Sequence, residues 1–209
     1  MKRAITVEQL VNTKFKIMQF DGAWLASIGK PEMSGVWIAW GHSGNGKTRF
    51  AMQLARYLTQ FGKVIFDSLE EGVRLSLQRA VIDENMREVG KRFLLLHRES
   101  IEDLKIRLRR KRSADIIIID SFQYTGLSRN EYIALKEEFE NKLFIFLSHA
   151  EGKNPGGRTA DFVRYDADVK IHIQGFIAFI ASRYGGGDEY VIWDEGAKIY
   201  HGTNSNNQK

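Results

Sequence analysis

The chain contains no cysteine. That excludes disulfides and thiolate metal sites, and the simplest compartment is the cytoplasm. No apolar run approaches the ~18 residues that a membrane-spanning helix needs, so no membrane partner is expected. An export signal is not expected either, because Glu8 stands where a leader would carry an apolar stretch. General basicity is missing too, despite a net charge of +5. Six basic residues (Lys105, Arg107, Arg109, Arg110, Lys111 and Arg112) fall within residues 105–112; without them the remainder carries −1. The charge is one basic block, not a basic protein.

What is present suits one α/β domain: 209 residues, enough for a full core. Its centre is GHSGNGKT, Gly41-His42-Ser43-Gly44-Asn45-Gly46-Lys47-Thr48, which matches the phosphate-binding loop G-x-x-x-x-G-K-[ST]. Glycines at 41, 44 and 46 let the backbone curl so that successive N–H groups face one concavity. A helix starting there adds unpaired donors and the positive end of its dipole. In such a loop Lys47 reaches the β- and γ-phosphates and the Thr48 hydroxyl ligates Mg²⁺. The context fits, with a buried-strand run before it (GVWIAW, 35–40) and helical periodicity after it (47–61).

Along the rest of the chain, Thr6 and Gln9 suggest a capping box for a short helix over 5–13. Residues 15–24 have no clean period and read as a lead-in to the first strand. Strands are expected at KVIFDS (63–68), RFLLLH (92–97), ADIIIID (114–120) and LFIFLS (143–148), with helices over 72–86, from Ser100 into the basic block, and over 129–141. Basic residues in a last helical turn complement the dipole, which accounts for part of the block. A carboxylate closing a buried β-branched run, as Asp120 does, needs a partner, and a metal shell supplies one. Residues 150–168 read as a long glycine-rich, charged loop, functional or disordered. After it come short strands at 169–173, 176–182, 190–193 and 197–202, joined by turns such as Gly185-Gly186-Gly187 and expected to form a meander of hairpins. The tail, 202–209, is polar and expected to fray. The expected division is a lead-in over 1–34, a core over 35–201 and that tail.

As an ordered series these motifs resemble the RecA-fold ATPases, above all the bacterial RadA and DnaB branch. Beyond the phosphate loop, DSLEEG (67–72) looks like the S-L-E-M element of DnaB, which makes Glu70 the match for the water-activating glutamate, with Glu71 the alternative. IIIIDSFQY (116–124) is similar to I-D-Y-L-Q, so Asp120 takes the Mg²⁺-directed role. SHAEGK (148–153) looks like G-H-V-T-K-E-G of RadA and implies that His149 senses the γ-phosphate. RYDADVKIHI (164–173) is similar to E-Q-D-A-D-V. SRYGG (182–186) resembles K-N-R-F-G and K-Q-R-N-G, whose arginine enters the next subunit's nucleotide site; Arg183 matches it, although Ala181-Ser182 replaces the lysine before it.

The resemblance implies a three-layer, mainly parallel RecA-like core with antiparallel hairpins at its C-terminal side. It further implies ATP and Mg²⁺ as cofactors, ATP hydrolysis, and a homo-oligomer, ring or filament, with the nucleotide between subunits. In this class the loops after the acidic strand and after the sensor strand line a DNA channel. Here Lys153, Arg158, Phe162, Arg164 and Tyr165 would offer phosphate contacts and base stacking to single-stranded DNA. Phe20-Asp21-Gly22-Ala23 fits F-x-x-A, with which some strand-exchange recombinases dock on a neighbour, or else it is ordinary packing. The expected function is a DNA-stimulated ATPase of recombination, annealing or repair. A DnaB-type ring motor and a KaiC-like assembly module without DNA are the alternatives.

Overall fold

The computed structural model describes residues 4–204, so the tail expected to fray lies outside the described residues from 205 onward. In chain order the elements are α1 (Val7–Val11), α2 (Gly22–Ile28), β1 (Gly35–Gly41), α3 (Lys47–Leu58), β2 (Val64–Ser68), α4 (Leu75–Asp83), β3 (Phe93–His97) and α5 (Ile101–Leu108). They continue with β4 (Ile116–Asp120), α6 (Arg129–Glu138), β5 (Leu143–Glu151), β6 (Asn154–Pro155), α7 (Arg158–Asp166), β7 (Val169–Gln174), β8 (Ile177–Ser182), β9 (Tyr190–Val191) and α8 (Asp194–Asn204). One sheet runs β3-β2-β4-β5-β1-β7-β8-β9, with β6 paired to β5. Strands from β3 to β7 pair in parallel; β8, β9 and β6 join antiparallel.

Three layers follow from period-two burial on strands that are covered on both sides. Trp37, Ala39, Phe66, Ile116, Ile118, Ile145 and Leu147 face α2, α3 and α4, whereas Val36, Ile38, Ile65, Ile117, Ile119, Phe144 and Phe146 face α5, α6 and α7. Helix α3 buries Phe50, Ala51, Leu54, Ala55 and Leu58, the stripe that its spacing anticipates. The capping residues also act as expected. Thr6 with Gln9 and Ser128 with Glu131 form capping boxes, and Ser100 Oγ accepts from the Asp103 N–H.

Four expectations are corrected. The segment 150–168 is not a loop: β5 runs on to Glu151, turns into β6, and α7 follows. Alternating short apolar residues in TADFVRYDA fit a helix that buries Ala160 and Val163 on β1. Residues 197–202 are helical, not a strand. They belong to α8, which Asp194 and Glu195 open, and the last strand is only Tyr190–Val191. The region 15–24 contains the start of α2, a helix of seven residues whose N-cap Asp21 makes no side-chain cap bond, so it has little local signature. Helix 72–86 is shortened to α4 and followed by a 3₁₀ segment, Met86–Arg92.

Phe20 belongs to the core of its own chain. Its ring lies 5.0 Å from Tyr57, 5.3 Å from Phe61 and 6.4 Å from Trp37, which excludes it as a free docking residue. We therefore expect Phe20→Ala to lower the urea-unfolding free energy by about 3–5 kcal/mol. A stability unchanged within error, with only self-association lost, would contradict the core assignment.

Asp67 is the charged residue inside β2. It is fully buried; Oδ1 accepts from the Glu99 N–H (3.2 Å) and Oδ2 has no hydrogen-bond partner. Burial, reinforced by the Glu99 charge and opposed by the Glu99 amide and Arg107, pushes its carboxyl up to about 6. A raised carboxyl binds its proton more tightly in the folded state. Its contribution is therefore complete below the unfolded value near 4 and is lost as pH rises through about 6. Across that window wild-type stability should fall on the order of 2–3 kcal/mol from this group. Asp67→Asn should make the decline shallower when urea midpoints are measured against pH; an identical slope would refute the assignment.

Candidate nucleotide site

Parallel pairing aligns the strand ends. Gly41 lies opposite His149, Ser68 opposite Asp120, and Asp120 opposite Leu147. Side chains that end or follow β1, β2, β4 and β5 therefore emerge at the same edge, where ligands bind in open α/β sheets. They line a cleft of 320 Å³ whose walls include Gly44, Lys47, Thr48, Glu70, Asp120 and His149. Glu71, Ser43, Gly46, Arg49 and Phe176 complete it. Of the sequence-derived set the convergence brings together Ser43, Gly44, Gly46, Lys47, Thr48, Glu70, Asp120 and His149; Gly41, His42 and Asn45 do not line the cleft, nor does Arg183.

The loop's shape is fixed by its neighbours as well as its glycines. Gly46 has φ +97° and precedes the first residue of α3; a Cβ there would meet the Phe176 ring at 2.9 Å. At Gly41 a Cβ would sit 2.2 Å from the Ile173 carbonyl oxygen of β7. Asn45 ties the loop to the β7–β8 turn, because its Oδ1 accepts from the Gly175 N–H (2.6 Å) and its carbonyl from the Phe176 N–H (3.2 Å). Asn45 and Phe176 thus brace the loop. Asn45 occupies a free x position of the motif, and nothing in sequence spacing connects either residue to the other.

Lys47 Nζ donates to the Gly41 carbonyl (2.8 Å) and the His42 carbonyl (3.0 Å), so the ammonium is folded back onto its own loop. Burial lowers its pKa, and the charges of Asp120 and Glu70 oppose that shift. Asp120 shows the complementary effect. Burial, then Glu70 and Glu71, push its carboxyl up to about 7 against the pull of Lys47. A carboxylate crowded by two others beside one lysine is a donor set that favours a further cation. With the Thr48 hydroxyl in the same cleft, the residues fit Mg²⁺.

The two glutamates part company. Glu70 Oε2 lies 3.0 Å from His149 Nε2 inside the cleft, while Glu71 Oε2 accepts from Ser76 Oγ at 2.5 Å. The Glu70 and Leu69 N–H groups both donate to the Asp120 carbonyl, which locks the turn after β2 to the end of β4.

Arg183 lies at the other end of the sheet. Ser182 pairs with Val169, which pairs with Trp37, four residues before Gly41 and so roughly 13 Å along the strand. The guanidinium is 62% exposed and pairs with Asp168 at 3.2 Å. Of the residues expected to meet DNA, Lys153 and Arg158 are exposed, on the β5–β6 turn and at the start of α7. Phe162 is partly buried, with the Arg129 guanidinium 3.9 Å from its ring centre and Tyr132 edge-on at 6.0 Å. Arg164 bonds Asp161 and stacks on Tyr165. Both make contacts within their own chain, and Tyr165, the other aromatic expected to stack, is 65% exposed. Half of the basic block is likewise paired, Lys105 with Glu102, Arg107 with Glu99 and Arg109 with Glu138.

No protein family's profile matches the chain, and no curated protein does. Solved structures are similar to it. Flagellar accessory protein FlaH from Methanocaldococcus jannaschii shares 14% identity at a TM-score of 0.60, over 85% of this chain and 94% of that one. The ATPase domain of a DnaB-like helicase shares 14% at 0.52, over 75% and 80%. ATP synthase subunit NeqB from Nanoarcheaum equitans shares 12% at 0.55, over 89% of this chain but only 58% of its own length. At such identity the likeness is one of fold, and it agrees with the sheet order and the strand-end cleft: the chain has the three-layer α/β fold of the RecA-type P-loop ATPases.

Proposed function

We propose that the chain is a Mg²⁺-dependent ATPase that works as a homo-oligomer on single-stranded DNA. The observation that carries the enzyme reading is the meeting of Lys47, Thr48, Glu70, Asp120 and His149, from separate segments, in one cleft. Phosphoryl transfer passes through a loose, highly charged transition state, so the protein's work is positioning and electrostatic stabilisation. Lys47 leaves the carbonyls of Gly41 and His42 and turns to the β- and γ-phosphate oxygens. Thr48 and Asp120 would hold Mg²⁺, which would supply neutralisation of phosphate charge. Glu70 orients the attacking water and takes its proton, and His149, 3.0 Å from Glu70, contacts the γ-phosphate in this reading. Arg183 is assigned to the site of an adjacent copy, where such an arginine is worth about 10³–10⁵ in rate.

Support for DNA is narrower. Lys153 and Arg158 remain exposed on the segment that follows the sensor strand, and Tyr124 is exposed on the turn after β4. The intrachain contacts of Phe162 and Arg164 favour, as a second reading, an ATP-controlled assembly module without DNA.

Lys47→Ala should abolish Mg·ATP binding by calorimetry, and Glu70→Gln should keep binding while slowing hydrolysis about 10²–10⁴-fold. A Lys47→Ala protein that still hydrolyses ATP would sink the enzyme assignment. Single-stranded DNA should raise kcat and bind in a salt-sensitive way; neither effect would leave the assembly module standing. Mixing inactive Lys47→Ala with inactive Arg183→Ala should restore activity, because mixed interfaces contain intact sites. Additive inactivity would place Arg183 outside the reaction.

A further inference from the structure

Gln123 stands three residues after Asp120, in the 3₁₀ turn Phe122–Thr125. Its amide is fully used. Nε2 donates to Ser148 Oγ (2.7 Å) and to the Gly156 carbonyl (2.8 Å), and Oε1 accepts from the His149 N–H (3.3 Å). The His149 carbonyl in turn accepts from the Gly156 N–H (2.7 Å) and Ser148 Oγ (2.9 Å). Both backbone groups of His149 are therefore fixed by one small network, while its imidazole faces Glu70 across the cleft. The same network holds Gly156, the residue that closes the β5–β6 hairpin, and the Trp40 indole N–H steadies that hairpin by donating to the Lys153 carbonyl (3.0 Å).

We propose that Gln123 is the positioning residue that holds His149 against Glu70, and that through the same amide the β5–β6 hairpin registers what occupies the cleft. The inference rests on reading the cleft as a triphosphate site. An anionic phosphate competes with the Glu70 carboxylate for His149 Nε2. Where the His149 backbone follows its imidazole toward the phosphate, Gly156 moves with it, because Gly156 is bonded to His149 and to Gln123. Gly157, with φ +86° and nothing near its missing Cβ, is the joint between the hairpin and α7; its N–H donates to the Glu151 carboxylate of β5 (3.4 Å), and α7 is anchored by buried Ala160 and Val163. Gln123 does not touch the phosphate loop in this scheme, so it sets orientation and not affinity.

Asn154 is exposed on β6 and the chain has no cysteine, so Asn154→Cys takes a single fluorophore at the hairpin. The labelled parent should change emission on titration with Mg·ATP, saturating together with the calorimetric binding curve. In Gln123→Ala the emission change should vanish and kcat should fall about 10- to 100-fold with KM little altered. Gln123→Glu keeps an acceptor for the His149 N–H but sets a carboxylate against the Gly156 carbonyl. It should recover most of kcat and still lack the emission change, a split that general loosening of the fold would not produce. A labelled parent that binds no Mg·ATP overturns the triphosphate reading and this inference with it. A parent that binds Mg·ATP but stays silent, or variants that respond as it does, overturn the role of Gln123 alone.

Discussion

Everything at the cleft depends on the parallel register of β2, β4, β5 and β1. Pairing Ser68 with Asp120, Asp120 with Leu147 and His149 with Gly41 leaves each strand to end at the same depth. A slip by one residue on any of them would turn its last side chain to the opposite face of the sheet. Isoleucines 116–119 are divided between two core layers, so a slip would only exchange one buried isoleucine for another. The register is pinned at the ends of β4 instead, where the Asp115 carbonyl accepts from the Leu143 N–H and the Asp120 carbonyl from the Leu69 and Glu70 N–H groups. Asp120 sits where it does because its own backbone is tied to the turn after β2.

The same constraint gathers charge at a cost. Asp120 and Glu70 share a single lysine, and burial with the nearby carboxylates pushes the Asp120 carboxyl up to about 7. Mutual repulsion and burial are relieved only by added positive charge, so a cation in the cleft, or Lys47 swung toward its carboxylates, is stabilising. Lys47 instead donates to two loop carbonyls, which keeps the loop closed on itself. Phosphate binding would reverse this arrangement, exchanging neutral acceptors for charged ones, and charge-assisted hydrogen bonds are the stronger kind.

How much of this was legible in the sequence follows from the range of the interactions. The phosphate loop, the acid after IIII and the caps at Thr6, Ser100 and Ser128 are set by residues within a few positions of one another, and they stand in the fold as the sequence implies. What escaped depends on contacts between distant segments. Asn45 bonding Gly175, Phe20 enclosed by Tyr57 and Phe61, and Phe162 covered by Arg129 have no local pattern. Helix α8 escaped for another reason. The short alternation in AKIYH fits a strand as readily as a helix, and what decides is Gly196, where a Cβ would lie 2.2 Å from the Trp193 ring and 2.7 Å from Phe176. That close approach seats α8 behind the turn that braces the phosphate loop, so the element least visible in the sequence supports the one most visible.

Arg183 stands out of reach of the cleft in its own chain. It lies beside Asp168 at the end of the sheet where β1 begins, roughly 13 Å in strand rise from the loop where β1 ends. No rotamer of one side chain covers that distance, and the intervening strand is rigid. Any part for Arg183 in phosphoryl transfer therefore requires a second copy, whose cleft faces this end of the sheet. An interface of that kind joins two different surfaces, the strand-end cleft of one subunit and the strand-start edge of the next, and is heterologous by construction. Heterologous interfaces generate rings when the rotation closes and filaments when it does not. The choice between the two architectures is then a matter of the angle between subunits, which the Arg183–Asp168 corner and the residues around it would set, and not of the chemistry in the cleft.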